Sequence, residues 1–229
     1  MKKFATILSS IILAVILFSA GNTEASSLYA GTSITPGIQS LVYGVAKEEW
    51  GGSMQGSILD GKNLDYLYCV DLFTVVWHDQ TYASTTVNNE AKIHNSPLLN
   101  AGSVAYLLSN YGLAGAGGGV QGQALQAAIW YEVNGRNSKV YELDSTAYAG
   151  SQVLSLYNKY VAEAANNIGN ISDFLWITPA DIVGRNDAGE EYQGLVTIPP
   201  VPEPGTMMLL GFGMLGLAIY GKRRANKEA

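Results

Sequence analysis

Cysteine is almost absent from this chain. Cys69 stands alone among 229 residues, so no intrachain disulfide can form and the fold must be held by its core. Only two histidines occur. Two His and one Cys lack the short ligand spacings of zinc modules, and the aspartates lack a metal-loop spacing, so no metal and no other cofactor is expected. Basic residues are scarce too. Between Ser26 and Pro200, seven Lys/Arg face sixteen Asp/Glu, a net charge near −9. An acidic surface repels phosphate backbones, which argues against nucleic acid as a partner. The glycine-rich run GAGGGVQGQ lacks the Lys-Ser/Thr ending of a phosphate loop and reads as a connector. No internal repeat occurs. What is abundant is aromatic: fourteen Tyr and four Trp argue for a folded core and against disorder.

The two ends are read as processing segments. Lys2 and Lys3 precede the apolar run Ile11 to Phe18, and Thr23 and Ala25 give a small-x-small cleavage pattern. Residues 1–25 therefore read as a secretory signal peptide. At the other end, Met207 to Tyr220 is apolar with interspersed glycine, followed at once by Lys222, Arg223 and Arg224. That reads as a short transmembrane helix over 206–221 with a cytoplasmic basic stop. Val201-Pro202-Glu203-Pro204-Gly205, the Gly-rich apolar helix and the terminal Arg cluster together resemble a PEP-CTERM sorting tail. The resemblance covers 201–229. It implies recognition by an exosortase, inner-membrane anchoring in transit, and delivery to the surface or extracellular matrix of a Gram-negative cell making exopolysaccharide or biofilm. An exported compartment permits disulfides, which makes the unpaired Cys69 notable.

Residues 26–200 remain as one domain. Ser26 to Phe73 reads as β-rich, with Gly-Gly and Asp-Gly turn signals between short apolar or alternating runs. In LDYLYCVDLFTVV, Leu67, Cys69, Asp71 and Phe73 share one face and Tyr66, Tyr68, Val70 and Leu72 the other, which predicts a central strand. The polar stretch WHDQTYASTTVNNEAKIHN reads as a hairpin or exposed loop. Ser96 as N-cap and Pro97 as first helical residue predict a helix ending at Gly112. Gln123 to Val133 gives a second helix, and Asp144 or Ser145 caps a third running to about Asn166. DFLWITP and EYQGLVTI return to strand. The expected fold is α+β, a mostly antiparallel sheet or barrel with about three grouped helices.

One helical stretch is odd. LQAAIWYEV places Gln126 on the same stripe as Ile129 and Trp130, although a buried amide needs partners for up to four hydrogen bonds. Tyr68-Cys69-Val70 lies 57 positions earlier. The aromatic-Cys-aliphatic strand and the Gln126-Ala127-Ala128-Ile129-Trp130 helix together resemble the thioester domains of bacterial surface adhesins, with Leu125 where that family usually has Thr or Ser. The preceding VAYLLSNYG also resembles the helix before the Gln helix there. The resemblance spans about Tyr66 to Val133. It implies a bond between the Cys69 sulfur and the Gln126 side-chain carbonyl, with Tyr68, Ile129 and Trp130 supporting and shielding it. A lysine amine or a hydroxyl on a surface protein or polysaccharide would then attack, giving single-use capture and not enzymatic turnover. Burial among Trp130, Tyr66 and Phe73 would exclude water.

The residues by themselves leave other readings open. Free Cys often only fills core space, and a helix Gln can bond backbone carbonyls; the chain is then a structural or carbohydrate-matrix protein. Cys69 with His78 or His94 and Asp79 or Asp71 could form a cysteine-hydrolase set. Trp50 and Trp77 could bind sugar or pack, and packing is the default.

Overall fold

The computed structural model describes residues 25–186, 189–200 and 210–217. The signal peptide reading and the Val201–Gly205 motif therefore lie outside the described residues, apart from Ala25. The chain divides into two compact units, Met1–Ile198 and Pro199–Ala229. In the second, residues 210–217 are helical. Among the described residues no helix is long and apolar enough to cross a membrane, and the rest of the expected 206–221 span lies outside them.

The first unit is α+β. Its main sheet has seven strands in the order Lys62–Asn63, Ile58–Leu59, Ser26–Ala30, Gln80–Asn88, Leu175–Thr178, Leu195–Thr197 and Tyr68–Cys69. Every neighbouring pair in it is antiparallel. A three-stranded sheet orders Tyr141–Leu143, Ile38–Val42 and Val45–Glu49. Three helices pack together: α1 (Ala101–Ala116), α2 (Gly119–Trp130) and α3 (Gln152–Ala164). Their inner faces join Leu28, Tyr82, Trp176, Ile177 and Leu195 in one core.

Several local expectations give way to tertiary structure. The polar stretch after Trp77 holds the nine-residue strand Gln80–Asn88 in the middle of the sheet, with Tyr82 and Thr85 buried. Its run of Thr and Val suits a pleated surface, and pairing on both sides decides the matter. The long central strand through Phe73 is only Tyr68–Cys69, at the sheet's end. Asp71 ends it by accepting from the Phe73 N–H at 2.9 Å and from the Thr74 hydroxyl, local bonds that compete with a ladder.

Ser96-Pro97 does not start a helix. It pairs with Lys92–Ile93 across a turn in which His94 and Asn95 both have positive φ, as a two-residue hairpin requires. Nor does α1 stop at Gly112. A Cβ there would lie 2.9 Å from the Tyr66 ring, and one at Gly115 would lie 2.6 Å from Tyr68 Oη and 2.8 Å from Leu125 Cδ2. These glycines let the helix approach the Cys69 strand and α2 closely, so they serve packing and not termination. The Gly-rich connector is correspondingly short: α2 begins at Gly119, after positive-φ Gly118. A π-turn, Tyr131–Gly135, follows α2. Ser151, not Asp144 or Ser145, caps α3 by accepting from the Leu154 N–H; Asp144 instead caps the preceding turn at Thr146 and Ala147.

Candidate functional site

Cys69 sits on the terminal strand of the main sheet. One side of its backbone faces the neighbouring strand, where Cys69 pairs with Leu195 and the Val70 N–H donates to Gly194 O at 2.8 Å. Successive antiparallel residues turn their polar groups to opposite sides, so the Cys69 N–H and C=O point away from that partner. Gln126, from α2, completes this free edge with its side chain. Its Nε2 donates to Cys69 O at 2.7 Å, and its Oε1 accepts from the Cys69 N–H at 3.2 Å. The amide of Gln126 thus acts as a one-residue strand. A third bond comes from the Gly52 N–H, 3.0 Å from Oε1. The carbonyl oxygen therefore takes two backbone donors, and the puzzle of an amide on an apolar stripe has a structural answer.

Both residues are shut in, Gln126 fully and Cys69 nearly so, and Cys69 is a free cysteine. Burial pushes the Cys69 thiol up to about 12; the nearby Gly52 backbone N–H pulls it partway back, and Asp71 adds to the rise. Gly52 N–H thus sits beside the pair, donating to the Gln126 carbonyl oxygen. That donor is positioned by two glycines. Gly52 has φ +111, and a Cβ on it would fall 2.1 Å from Thr35 Oγ1. A Cβ on Gly51 would fall 2.5 Å from Trp130 Cη2 and 3.3 Å from Gln126 Cγ. Sequence inspection reads Gly51-Gly52 as a turn signal only. Its partners Thr35, Trp130 and Gln126 are remote in sequence, and nothing local announces them.

A cavity of about 380 Å³ opens beside Cys69, bordered by Trp50, Gly51, Gly52, Trp130, Val76, His78 and the Glu48-Glu49 pair among others. Trp130 is its buried wall, packed edge-on against Tyr141 with ring centres 5.7 Å apart. Ile129 is fully buried in the core. Tyr68 turns the other way, its hydroxyl donating to Gly112 O at 3.0 Å, so it braces the Cys69 strand against α1. Tyr66 stacks beside Tyr68 and is buried. Phe73 does not shield the pair: it is 58% exposed and lies against Tyr43, because the strand ends at Asp71. Trp50 and Trp77 are likewise exposed. Leu125, where the resembled family usually has Thr or Ser, is fully buried and packs over Gly115. A branched apolar side chain fills space that a hydroxyl would leave open.

The histidine rings bond groups other than Cys69. His94 bridges Asp71 at 3.2 Å and Glu191 at 2.9 Å, and His78 pairs with Asp79 at 2.9 Å. Among the described residues no hydrogen bond joins either ring to Cys69, and no group of three or more His, Cys, Asp and Glu could hold a metal ion.

Residues 200–224 match the PEP-CTERM protein-sorting motif. Among solved structures, the N-terminal thioester domain of a protein F2 like fibronectin-binding protein from Streptococcus pneumoniae is similar at a TM-score of 0.35 and 11% identity, over 80% of this chain and 96% of that one. No curated protein matches. At that likeness the Cys69–Gln126 site rests on its own geometry. The tail motif marks the chain as an exported protein sorted to the cell surface and implies processing by an exosortase-type enzyme.

Proposed function

We propose that Cys69 and Gln126 form an internal thioester through which this exported protein attaches covalently to a partner. The observation that carries the reading is the clamp on Gln126: its carbonyl oxygen accepts from the backbone N–H groups of Gly52 and Cys69, and its Nε2 donates to Cys69 O. In the forming step, Cys69 Sγ attacks Gln126 Cδ, negative charge develops on Oε1, the thiol proton passes to the departing nitrogen, and ammonia leaves. Two preset donors face that oxygen, and losing one such donor typically costs about 3 kcal/mol of barrier. Burial holds the Cys69 thiol well above its ordinary value, so little thiolate is present at neutral pH and formation is slow. In the consuming step, an amine or hydroxyl attacks Cδ, the C–S bond breaks, and the nucleophile's proton ends on the Cys69 sulfur as thiol. Burial of Cys69 and Gln126 keeps water from the bond until a nucleophile is held in place.

Single-use capture of this kind is not enzymatic. The raised thiol also speaks against a cysteine hydrolase, which needs a thiolate near neutral pH. The test is the intact mass of the exported protein before and after methylamine. The expected mass is short by one ammonia, rises to a full methylamine adduct, and shows neither change in Cys69→Ala. An undiminished mass, with a thiol alkylated stoichiometrically after unfolding, would leave a buried inert cysteine in a non-covalent surface or matrix protein of the biofilm.

A further inference from the structure

We propose that the strand Val45–Glu49 and the rim of the Cys69 cavity form a docking surface for an extended, basic polypeptide segment. The segment adds to the sheet edge by strand pairing and carries its nucleophile to the cavity. The inference rests on the thioester reading for its covalent step, while the docking stands on separate observations.

The first is an open edge. Val45–Glu49 is the last strand of its sheet, paired on one side with Ile38–Val42 and, among the described residues, with no strand on the other. The turn before it, Tyr43-Gly44, has φ +52 and +75, a two-residue hairpin geometry in which Val42 and Val45 form the hydrogen-bonded pair. Alternation then leaves the N–H and C=O of Ala46 and Glu48 facing outward. Such an edge is a template for another chain.

The second is continuity. The strand runs straight into Trp50-Gly51-Gly52, and Glu48, Glu49, Trp50, Gly51, Gly52 and Cys69 all border one cavity. A chain paired along the edge is led to the cavity that Cys69 borders.

The third is chemistry. Trp50 and Val75 border the cavity, and Tyr43 lies against Phe73 near the start of the strand; all four are more than half exposed, apolar side chains that a partner can cover. Glu48 and Glu49 border the cavity and outnumber the strand's one basic residue, Lys47, on a domain of net charge near −9. A second copy of this chain would bring the same acidic surface against itself. A partner with lysine and apolar residues matches both the charge and the rim.

The full chain is tested with an acetylated hexapeptide of alternating valine and lysine, against methylamine at equal amine concentration, following loss of the thioester by mass. Docking raises the effective concentration of the amine, so the peptide is expected to react at least about tenfold faster than methylamine. That advantage should vanish when alternate peptide amides are N-methylated, and in Ala46→Pro, which removes an outward N–H at an edge position that tolerates proline. It should survive in Ala46→Val, and methylamine should react equally with all three proteins. Equal rates for peptide and methylamine, an advantage that survives Ala46→Pro, or faster consumption by a glucose oligosaccharide would overturn the proposal while leaving the thioester intact. If the chain carries no thioester, the covalent reading fails, and anisotropy of the labelled peptide on Cys69→Ala decides docking alone: binding lost in Ala46→Pro supports it, and no binding overturns it.

Discussion

At the residue scale the site depends on a glycine as much as on Cys69 and Gln126. Gly52 holds a backbone conformation that L side chains rarely adopt, φ +111, and a Cβ there meets Thr35 at 2.1 Å. Gly52→Ala is therefore expected to destabilise the domain by about 3 kcal/mol, combining backbone strain and overpacking. Urea unfolding measures that cost. If Gly52 N–H assists at Oε1, the fraction of molecules lacking one ammonia should fall further in Gly52→Ala than in Gly56→Ala, a positive-φ glycine with open space around its Cβ. Equal fractions in the two variants would mean that Gly52 matters only for folding. Gln126 makes the complementary point. Its three hydrogen bonds to backbone make a fully buried amide tolerable, where an unpaired one costs about 1–3 kcal/mol.

At the element scale, α1 and α2 are placed by small residues. Gly112 and Gly115 let α1 approach Tyr66, Tyr68 and Leu125 at distances where a Cβ finds no room. Alanine favours an isolated helix over glycine by about 1 kcal/mol, so propensity predicts stabilisation at either position. Packing predicts the reverse. Gly115→Ala must displace Tyr68 Oη, which holds Gly112 O, and Leu125 beside Gln126. A net loss of about 1–3 kcal/mol is expected, read as a lower urea midpoint with an unchanged slope. A gain would show that the helix can move away at little cost, and that the spacing to the Cys69 strand is not critical.

At the scale of the whole molecule, acidity is the dominant electrostatic feature. Glu132 is fully buried, with one oxygen held by Arg136 at 2.8 Å and the other without a partner. Burial raises its pKa above the ordinary 4.5 despite Arg136, and burial also raises that of half-exposed Glu49. For a carboxyl raised in the folded state, the native protein binds more protons than the unfolded chain between the two pKa values. The resulting stability is present below about pH 4.5 and is lost as pH climbs through the raised value. Exposed Asp79 and Glu90 and partly buried Asp181 are lowered instead; they act with the opposite sign, below their ordinary values. Self-repulsion of a domain near −9 adds to the loss at higher pH. The urea midpoint is thus expected to be higher at pH 5 than at pH 8, with the difference reduced in Glu132→Gln. A midpoint rising with pH would contradict this account.

The sequence by itself determined the α+β class, the sorting tail and the two motifs of the proposed Cys69–Gln126 pair. Sorting tails and hydrophobic periods are local patterns, and the Cys69 and Gln126 motifs sit in short stretches whose residue types announce a strand and a buried helix. Tertiary structure decided what depends on remote neighbours. Gln80–Asn88 is a central strand because chains lie on both sides of it, Gly112 continues a helix because Tyr66 lies over it, and Phe73 is exposed because Asp71 ends its strand. The donor from Gly52 to Gln126 spans 74 positions. Propensity and spacing describe a residue's near neighbours along the chain; a hydrogen bond or a missing Cβ acts through space, and only the folded chain supplies its partner.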